Sequence, residues 1–229
     1  MQKSMVYWLT ANYKASGAVV AMDASPAVFM REAMRGLARR WQKRFDAIAA
    51  KLAQRFTSDT MKNSDVSLYN ALESAGLTVE FKMTPAMNNA LQATITENIN
   101  LIKSIPEQYL TQVEGLVMRS VSRGRDLAYL TDELEKRYGI TRRRAALIAR
   151  DQNAKATSVM QSARQMSLGI THGIWRHSHA GKEPRLSHVK SDGKKFELSK
   201  GLMIEGKLTF PGQEINCRCT WSAVLPGLD

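Results

Sequence analysis

The pattern of residues changes at Gly169, and this change constrains the fold more than any other feature of the 229-residue chain. Before it, apolar residues recur every three or four positions over long stretches, which is typical of amphipathic helices. After it, short alternating runs are separated by turn residues, which is typical of short strands. The sequence therefore predicts a mainly α fold, with an elongated helical body over residues 24–166 and a small α+β module, rich in β-hairpins, over residues 167–229.

The first long helix is predicted to begin at Ser25. Residues 1–23 have weak periodicity and many small residues, so we expect a flexible N-terminal arm there. Ser25 can cap a helix, and Pro26 suits its first turn. An apolar stripe then continues to about Phe56, which predicts one amphipathic helix.

Several further helical stretches are predicted before Gly169. Ser, Asp and Asn interrupt the pattern after Phe56, so a separate short helix is expected at Val66–Ser74. Thr84 is expected to cap the next helix, and Pro106 to end it or to start another. Gly139 is expected to close a helix and Thr141 to cap the last one.

The chain is strongly basic, with a formal net charge of +12. This charge predicts attraction to polyanions such as nucleic acid, acidic protein surfaces or anionic membranes. The basic residues on the helices have two interpretations. They form a solvated helix face, or they form a surface that binds phosphates or an acidic partner. The candidate partner-binding or DNA-binding residues are Arg31, Arg35, Arg39, Arg40, Lys43, Arg44, Arg142, Arg143 and Arg144.

All histidines and cysteines of the chain lie in its last quarter or just before it. Period-two alternation places Cys217 and Cys219 on one face of a strand, with Arg218 on the other. In one interpretation both thiolates, His188 and either His177 or His179 bind Zn²⁺, since thiolate and imidazole are its preferred ligands. In the other, the cysteines are small buried apolar residues and His188 forms a hydrogen bond within a turn.

Cysteine usage and hydropathy exclude two classes of protein. Two cysteines one residue apart are poorly spaced for a disulfide with each other, so a reducing compartment is expected. No apolar run reaches the roughly 18–20 residues of a membrane-spanning helix, so no membrane span is expected.

An ordered succession of motifs over roughly residues 99–225 resembles the phage head morphogenesis family, which contains minor head proteins similar to the F protein of phage Mu. The motifs include Y-G-I-T at residues 138–141, I-A-R-D-Q at 148–152, P-R-L-S-H at 184–188 and N-C-R-C at 216–219. Motif residues with an expected structural role are Trp175, Pro184, Arg185, Asp192, Gly193, Pro211, Gly212 and Asn216.

The resemblance implies a structural minor capsid protein present in few copies at the portal vertex. It would act in head assembly, DNA packaging or genome delivery, with the portal and major capsid proteins as partners and packaged double-stranded DNA as another contact. The implied location is the virion, after assembly in the host cytoplasm, and no enzymatic activity is implied.

Two alternatives stay open. The net charge of +12 alone is consistent with a nucleic-acid-binding protein that has a small zinc-stabilised module. A nuclease of the ββα-metal type would also bring together histidine, aspartate and asparagine near a metal. Such a nuclease has a metal-binding helix directly after its general-base histidine, whereas Gly, Pro and Lys follow the histidines here.

Overall fold

The computed structural model of the protein describes residues 1–19, 25–122, 127–180 and 183–225. Four long helices come first: α1 (Gln2–Val19), α2 (Pro26–Ser74), α3 (Pro85–Ser122) and α4 (Leu127–Ser167). The remaining elements are β1 (His172–Arg176), α5 (Leu186–Val189), β2 (Lys195–Glu197), β3 (Leu202–Ile204), β4 (Lys207–Thr209) and β5 (Thr220–Ala223). The mainly α fold with a C-terminal antiparallel β region is therefore confirmed. None of the described helices is both long and apolar enough to cross a membrane.

Three helix boundaries follow the local signals in the sequence. Thr84 Oγ1 accepts the Met87 amide at 3.3 Å and caps α3. The other two boundaries are C-terminal glycines with positive φ, at Gly76 (φ +77) and Gly169 (φ +78). At each, the following amide bonds back to a carbonyl five residues earlier, which satisfies the end of the helix.

The predicted breaks inside the long helices are wrong. Helix α2 is continuous from Pro26 to Ser74, α3 continues through Pro106, and α4 continues through Gly139 and Thr141. A helix-interior glycine costs only about 1 kcal/mol relative to alanine. In α3, Tyr109 and Leu110 lie just beyond the proline and are almost completely buried, so packing there stabilises the continued helix.

The expected flexible arm is also a correction, because residues 2–19 form helix α1. Met5 and Leu9 are buried, and their spacing of four residues puts them on one face of the helix. Burial of that face stabilises a segment whose own periodicity is weak. The rest of the predicted arm, residues 20–23, lies outside the described residues.

The chain forms two compact units whose limits differ from the predicted domains. The first unit is Met1–Leu52 with Ile99–Ala146, and the second unit is Ala53–Asn98 with Leu147–Asp229. The predicted body over 24–166 is therefore shared between the units. The predicted module over 167–229 is only part of the second unit.

Helix packing forms the core of the first unit. Each of α1 to α4 contributes buried apolar residues, and most of them are Met, Leu or Val. The members are Met5, Leu9, Met30, Met34, Leu37, Tyr109, Leu110, Val113, Leu116, Val117, Leu130 and Leu134. Such side chains fill the space between helices without directional bonds.

The second unit has a small antiparallel sheet in the order β2-β1-β5, with a separate β3-β4 hairpin. Phe196 lies at the centre of its aromatic core, with ring centroids 6.2 Å from both Trp175 and Trp221. Gly173 on β1 leaves room for Trp221, since a Cβ at this position would lie 2.5 Å from Trp221 Cδ1. The Trp221 indole donates to Gln165 Oε1 on α4 at 2.8 Å, which attaches the sheet to that helix.

A buried ion pair joins two helices within the second unit. Arg164 of α4 makes two hydrogen bonds of 2.7 Å to the carboxylate of Asp65 on α2. Its guanidinium also donates to the Lys82 carbonyl at 2.6 Å and lies over the Phe81 ring. The Arg164 side chain is only 4% exposed, so its charge depends on these partners.

Candidate functional site

Three side chains that the sequence marked as metal ligands meet in the second unit. His188 lies in the one-turn helix α5, while Cys217 and Cys219 immediately precede β5. His188 Nδ1 is 3.5 Å from Cys217 Sγ and 3.7 Å from Cys219 Sγ. All three side chains are at least nine-tenths buried, and Arg218 between the cysteines points outward, as alternation predicts.

The orientation of His188 is set from its other ring nitrogen. Nε2 lies 3.3 Å from Glu214 Oε2, so a proton on Nε2 is hydrogen-bonded to a carboxylate. This tautomer leaves a lone pair on Nδ1, which faces the two sulfur atoms. The Trp175 ring packs against the imidazole with centroids 5.3 Å apart and restricts its rotation.

Hydrogen-bond donors surround the two sulfur atoms. The Cys219 thiol makes the largest contribution to lowering the pKa of Cys217, to about 5, and the amides of Cys219 and Gly212 lower it further. The same thiol contact, with burial, raises the pKa of Cys219. The Ser178 amide and the Trp175 indole act in the opposite direction on the pKa of Cys219 and lower it. By distance and angle, the buried indole N–H has no hydrogen-bond partner among the described residues.

The structure does not bring His177 or His179 into this cluster. The described group of metal-ligand atoms within 4.8 Å of one another contains only His188, Cys217 and Cys219. His177 Nδ1 accepts the His179 amide at 3.2 Å, so the proton of the neutral ring lies on Nε2 and no ring lone pair is free. The prediction of His177 as a fourth ligand is therefore not supported by its position.

The motif residues around Asp192 hold the chain after β1. Asp192 Oδ1 accepts the His177 amide at 2.8 Å, and this bond lowers the pKa of Asp192 below its ordinary value. Gly193 has φ +77 and donates its amide to the Trp175 carbonyl. Trp175 itself is completely buried, as expected of a core residue.

The second group of motif residues builds the turn that carries the cysteines. Gly212 follows buried Pro211, has φ +81 and donates its amide to Cys217 Sγ at 3.4 Å. Asn216 has φ +59, and its amide bonds to Asp151 Oδ1 of α4 at 2.6 Å. Arg185, which follows exposed Pro184, donates to the Ile215 carbonyl at 2.8 Å. Together these contacts fix the main chain just before Cys217.

A cleft of about 670 Å³ borders the cluster. His188, Cys217 and Cys219 contribute to its wall, and so do three arginines: Arg150, Arg185 and Arg218. The cluster is therefore buried beside a cationic depression of the second unit.

Comparison with known proteins finds a family that part of the chain resembles. A family model described as Phage Mu protein F like protein matches residues 111–222. Over these residues the chain is similar to that family. The Mu F-like segment includes the whole His188–Cys217–Cys219 cluster.

One curated relative is an uncharacterised protein of Haemophilus influenzae. The two sequences are 34% identical over 184 residues, which cover 77% of this chain and 39% of the relative. The chain thus spans about two fifths of the length of the curated relative that it matches. No solved structure matches the chain.

The basic residues of α2 lie before the Mu F-like segment, in the first unit. All six are exposed, and no described carboxylate lies within ion-pair distance of any of them. Arg40 lies over the Trp8 ring at 4.2 Å, and Arg44 lies over the Trp41 ring at 5.1 Å. The other four, Arg31, Arg35, Arg39 and Lys43, have no described ring or carboxylate partner.

The second basic run, Arg142, Arg143 and Arg144, lies inside the Mu F-like segment. Because α4 is continuous, these residues are in the middle of a helix and not in a first turn. They are exposed, and Arg144 donates a hydrogen bond to Gln108 of α3. The helix dipole therefore does not disfavour these cations.

Glu214 and Asp151 are site residues that the sequence interpretation missed. The sequence contained a signal for each of them, because Asp151 belongs to the I-A-R-D-Q motif and Glu214 lies three residues before Cys217. Their contacts with the His188 ring and the Asn216 amide depend on chain segments that only the fold brings together.

Proposed function

We propose that the protein is a structural minor head protein that acts at the portal vertex, in head assembly, DNA packaging or genome delivery. The observation that carries the proposal is the Mu F-like match over residues 111–222. Its partners would be the portal and major capsid proteins, and packaged double-stranded DNA would be a further contact.

The first unit would supply the docking surface through the basic face of α2. Exposed cations that have neither a carboxylate nor an aromatic-ring partner within the protein retain their full attraction for an external anionic surface. Arg31, Arg35, Arg39 and Lys43 meet this condition among the described residues. A patch of acidic side chains on a portal or shell protein would therefore complement this face.

The C-terminal region would serve as a rigid assembly part with no bond-making role. Its motif side chains bond to main-chain groups: Asp192 to an amide, Arg185 to a carbonyl, and Asp151 to an amide. His188 lies in a one-turn helix with Nε2 directed at Glu214, unlike a general base at the end of a strand. These contacts are the ones expected of residues that hold a turn in place.

Co-assembly with the portal and major capsid proteins of the same phage tests this proposal. The wild-type chain should cosediment with procapsids at moderate salt, because a packed protein interface resists screening better than phosphate contacts do. Replacement of Arg31, Arg35, Arg39 and Lys43 by glutamate should abolish cosedimentation. The matched control has four exposed lysines of the second unit replaced by glutamate, and it should cosediment normally. These lysines are Lys62, Lys82, Lys190 and Lys194.

The competing function is free nucleic-acid binding, which the net charge of +12 favours. It predicts that affinity for duplex DNA falls linearly with salt on a log–log plot, with a slope of about 0.9 per phosphate contact. Strong DNA binding with this slope, and no cosedimentation with procapsids at any salt concentration, would replace the head-protein proposal.

A further inference from the structure

We infer that the second unit binds one zinc ion through His188 Nδ1 and the sulfur atoms of Cys217 and Cys219, with Glu214 as the residue that positions His188. This inference does not depend on the role of the protein in the phage head. It narrows the ligand set to three residues and leaves out His177.

The distances agree with a tetrahedral zinc site. Zinc lies about 2.3 Å from thiolate sulfur and about 2.0–2.1 Å from imidazole nitrogen, so a tetrahedral angle puts nitrogen and sulfur about 3.6 Å apart. The two measured separations from His188 Nδ1 are 3.5 and 3.7 Å. Both nitrogen–sulfur distances therefore already have the length that such a site requires, and all three ligand atoms lie within 4.8 Å of one another.

A trio without metal explains these contacts less well. In the tautomer set by Glu214, Nδ1 has one lone pair, yet two sulfur atoms approach it at nearly equal distances. Only one thiol can donate to that lone pair at a time. A central cation would accept the nitrogen lone pair and both sulfurs simultaneously.

Groups around the ligands have the arrangement of a second coordination shell. A carboxylate on the distal nitrogen of a ligating histidine fixes its tautomer and increases its basicity, and Glu214 has this place. The Gly212 amide donates to Cys217 Sγ at 3.4 Å, and such a donor stabilises a thiolate. This donor compensates part of the negative charge that two thiolates bring into a buried site.

The fourth coordination position is assigned to solvent from the adjoining cleft. No fourth histidine, cysteine or carboxylate of the described residues joins the group, and all three ligands line the cleft of about 670 Å³. The ion would link α5 to the turn before β5 and so close the chain between residues 188 and 217. A small β region with a limited core gains stability from such a link.

Metal analysis of the full chain, purified under reducing conditions without chelator, tests the site. We expect about one equivalent of zinc, retained through dialysis. As a second measurement that needs no variant, the metal-stripped chain titrated with zinc against a chromogenic chelator should take up one ion. Absence of zinc in both measurements would overturn the inference, and so would a mass lower by two hydrogens, which indicates a Cys217–Cys219 disulfide.

Cobalt substitution reads the ligand set directly. The wild-type chain should show a thiolate-to-cobalt charge-transfer band for two thiolates, and Cys217→Ser or Cys219→Ser should roughly halve that band or remove it. His177→Ala and His179→Ala are the matched controls and should leave zinc content and the cobalt spectrum unchanged. Loss of zinc in either control, in a chain with unchanged helical circular dichroism, would contradict the three-residue ligand set.

Glu214→Gln separates positioning from ligation. It should keep the cobalt spectrum of the wild-type chain but weaken zinc affinity about 10-fold to 100-fold, the usual effect of a changed outer-shell partner. An affinity equal to that of the wild-type chain would overturn the positioning role of Glu214.

An added small thiol tests the fourth coordination position. It should shift the cobalt spectrum if that position holds solvent, and the absence of a shift would contradict an open position.

Discussion

The two compact units are stabilised in different ways. The core of the first unit is made mostly of Met, Leu and Val side chains from four helices, which tolerate repacking because their contacts are not directional. The second unit depends on directional contacts: a buried ion pair, an indole hydrogen bond, glycines with positive φ, and a His–Cys–Cys cluster. Each such contact requires a particular residue at a particular place.

This difference explains where recognisable motifs occur. The family match covers residues 111–222. The motif residues in it, from Asp151 onward, belong to the second unit. Directional contacts restrict residue identity, whereas helix packing restricts mainly size and apolarity. The predictions below test whether the second unit is in fact the less tolerant one.

The largest effect is expected from the buried ion pair. Arg164→Met removes one partner and leaves the Asp65 carboxylate, only 22% exposed, without its cation. We expect a loss of about 3–5 kcal/mol in the free energy of unfolding of the second unit. Hydrogen exchange followed by mass spectrometry reports on each unit separately and measures it.

Arg55→Met is the matched control for that variant. Arg55 pairs with Asp59 on the same helix, but their side chains are 82% and 60% exposed. Its loss should change the free energy of unfolding by less than about 1 kcal/mol. Equal effects of the two variants would mean that the second unit does not depend on its buried pair.

A glycine in each unit gives the next test. Gly173→Ala places a Cβ 2.5 Å from Trp221, whose indole cannot move without losing its bond to Gln165. We expect a loss of about 1–3 kcal/mol in chemical denaturation. Gly36→Ala, in helix α2 of the first unit, meets nothing within 4 Å and should instead add about 0.5–1 kcal/mol. Changes of the same sign would contradict the proposed difference between the units.

Tyr109 is an exception to the apolar core of the first unit. Its hydroxyl is buried without a hydrogen-bond partner among the described residues, and burial raises the pKa of Tyr109 to about 12. Tyr109→Phe removes this unsatisfied group, so we expect a gain of about 1 kcal/mol in thermal or chemical unfolding. A loss of stability would show that the hydroxyl has a partner and that this core is more directional than it looks.

The smallest effect concerns Asp192, which is exposed. Its pKa is lowered, first by the His177 amide and then by the nearby charges of His179 and Arg176, so it stabilises the fold above its unfolded pKa of about 3.9. This contribution is lost as pH falls through the lowered pKa. Asp192→Asn should therefore be less stable than the wild-type chain at neutral pH, and the difference should shrink at about pH 3. A difference that grows on acidification would contradict this assignment.

The fold class could be predicted from the sequence because helical periodicity and strand alternation are local signals. The start of α3 at Thr84 and the helix ends at Gly76 and Gly169 followed from capping chemistry alone. Breaks at Pro106 and Gly139 were wrong because burial elsewhere in the helix outweighs a local cost of a few kcal/mol. Helix α1 was missed because its stability comes from packing of Met5 and Leu9.

The candidate site could be predicted in part. Convergence of Cys217 and Cys219 followed from alternation, and His188 belonged to the same resemblance. The exclusion of His177 could not be foreseen, because it depends on which ring nitrogen accepts the His179 amide. The place of Glu214 beside the imidazole depends on the turn that Gly212 and Asn216 build, and both have positive φ.

The chain passes between the units three times, each time within one of the helices α2, α3 and α4. This arrangement sets an order of events on the ribosome. The first unit is incomplete until residue 146 has been translated, and residues 53–98 of the second unit must wait for everything after 147. The first unit can therefore close before the second one, and the segment 53–98 keeps its apolar side chains uncovered until the C-terminal region has been made.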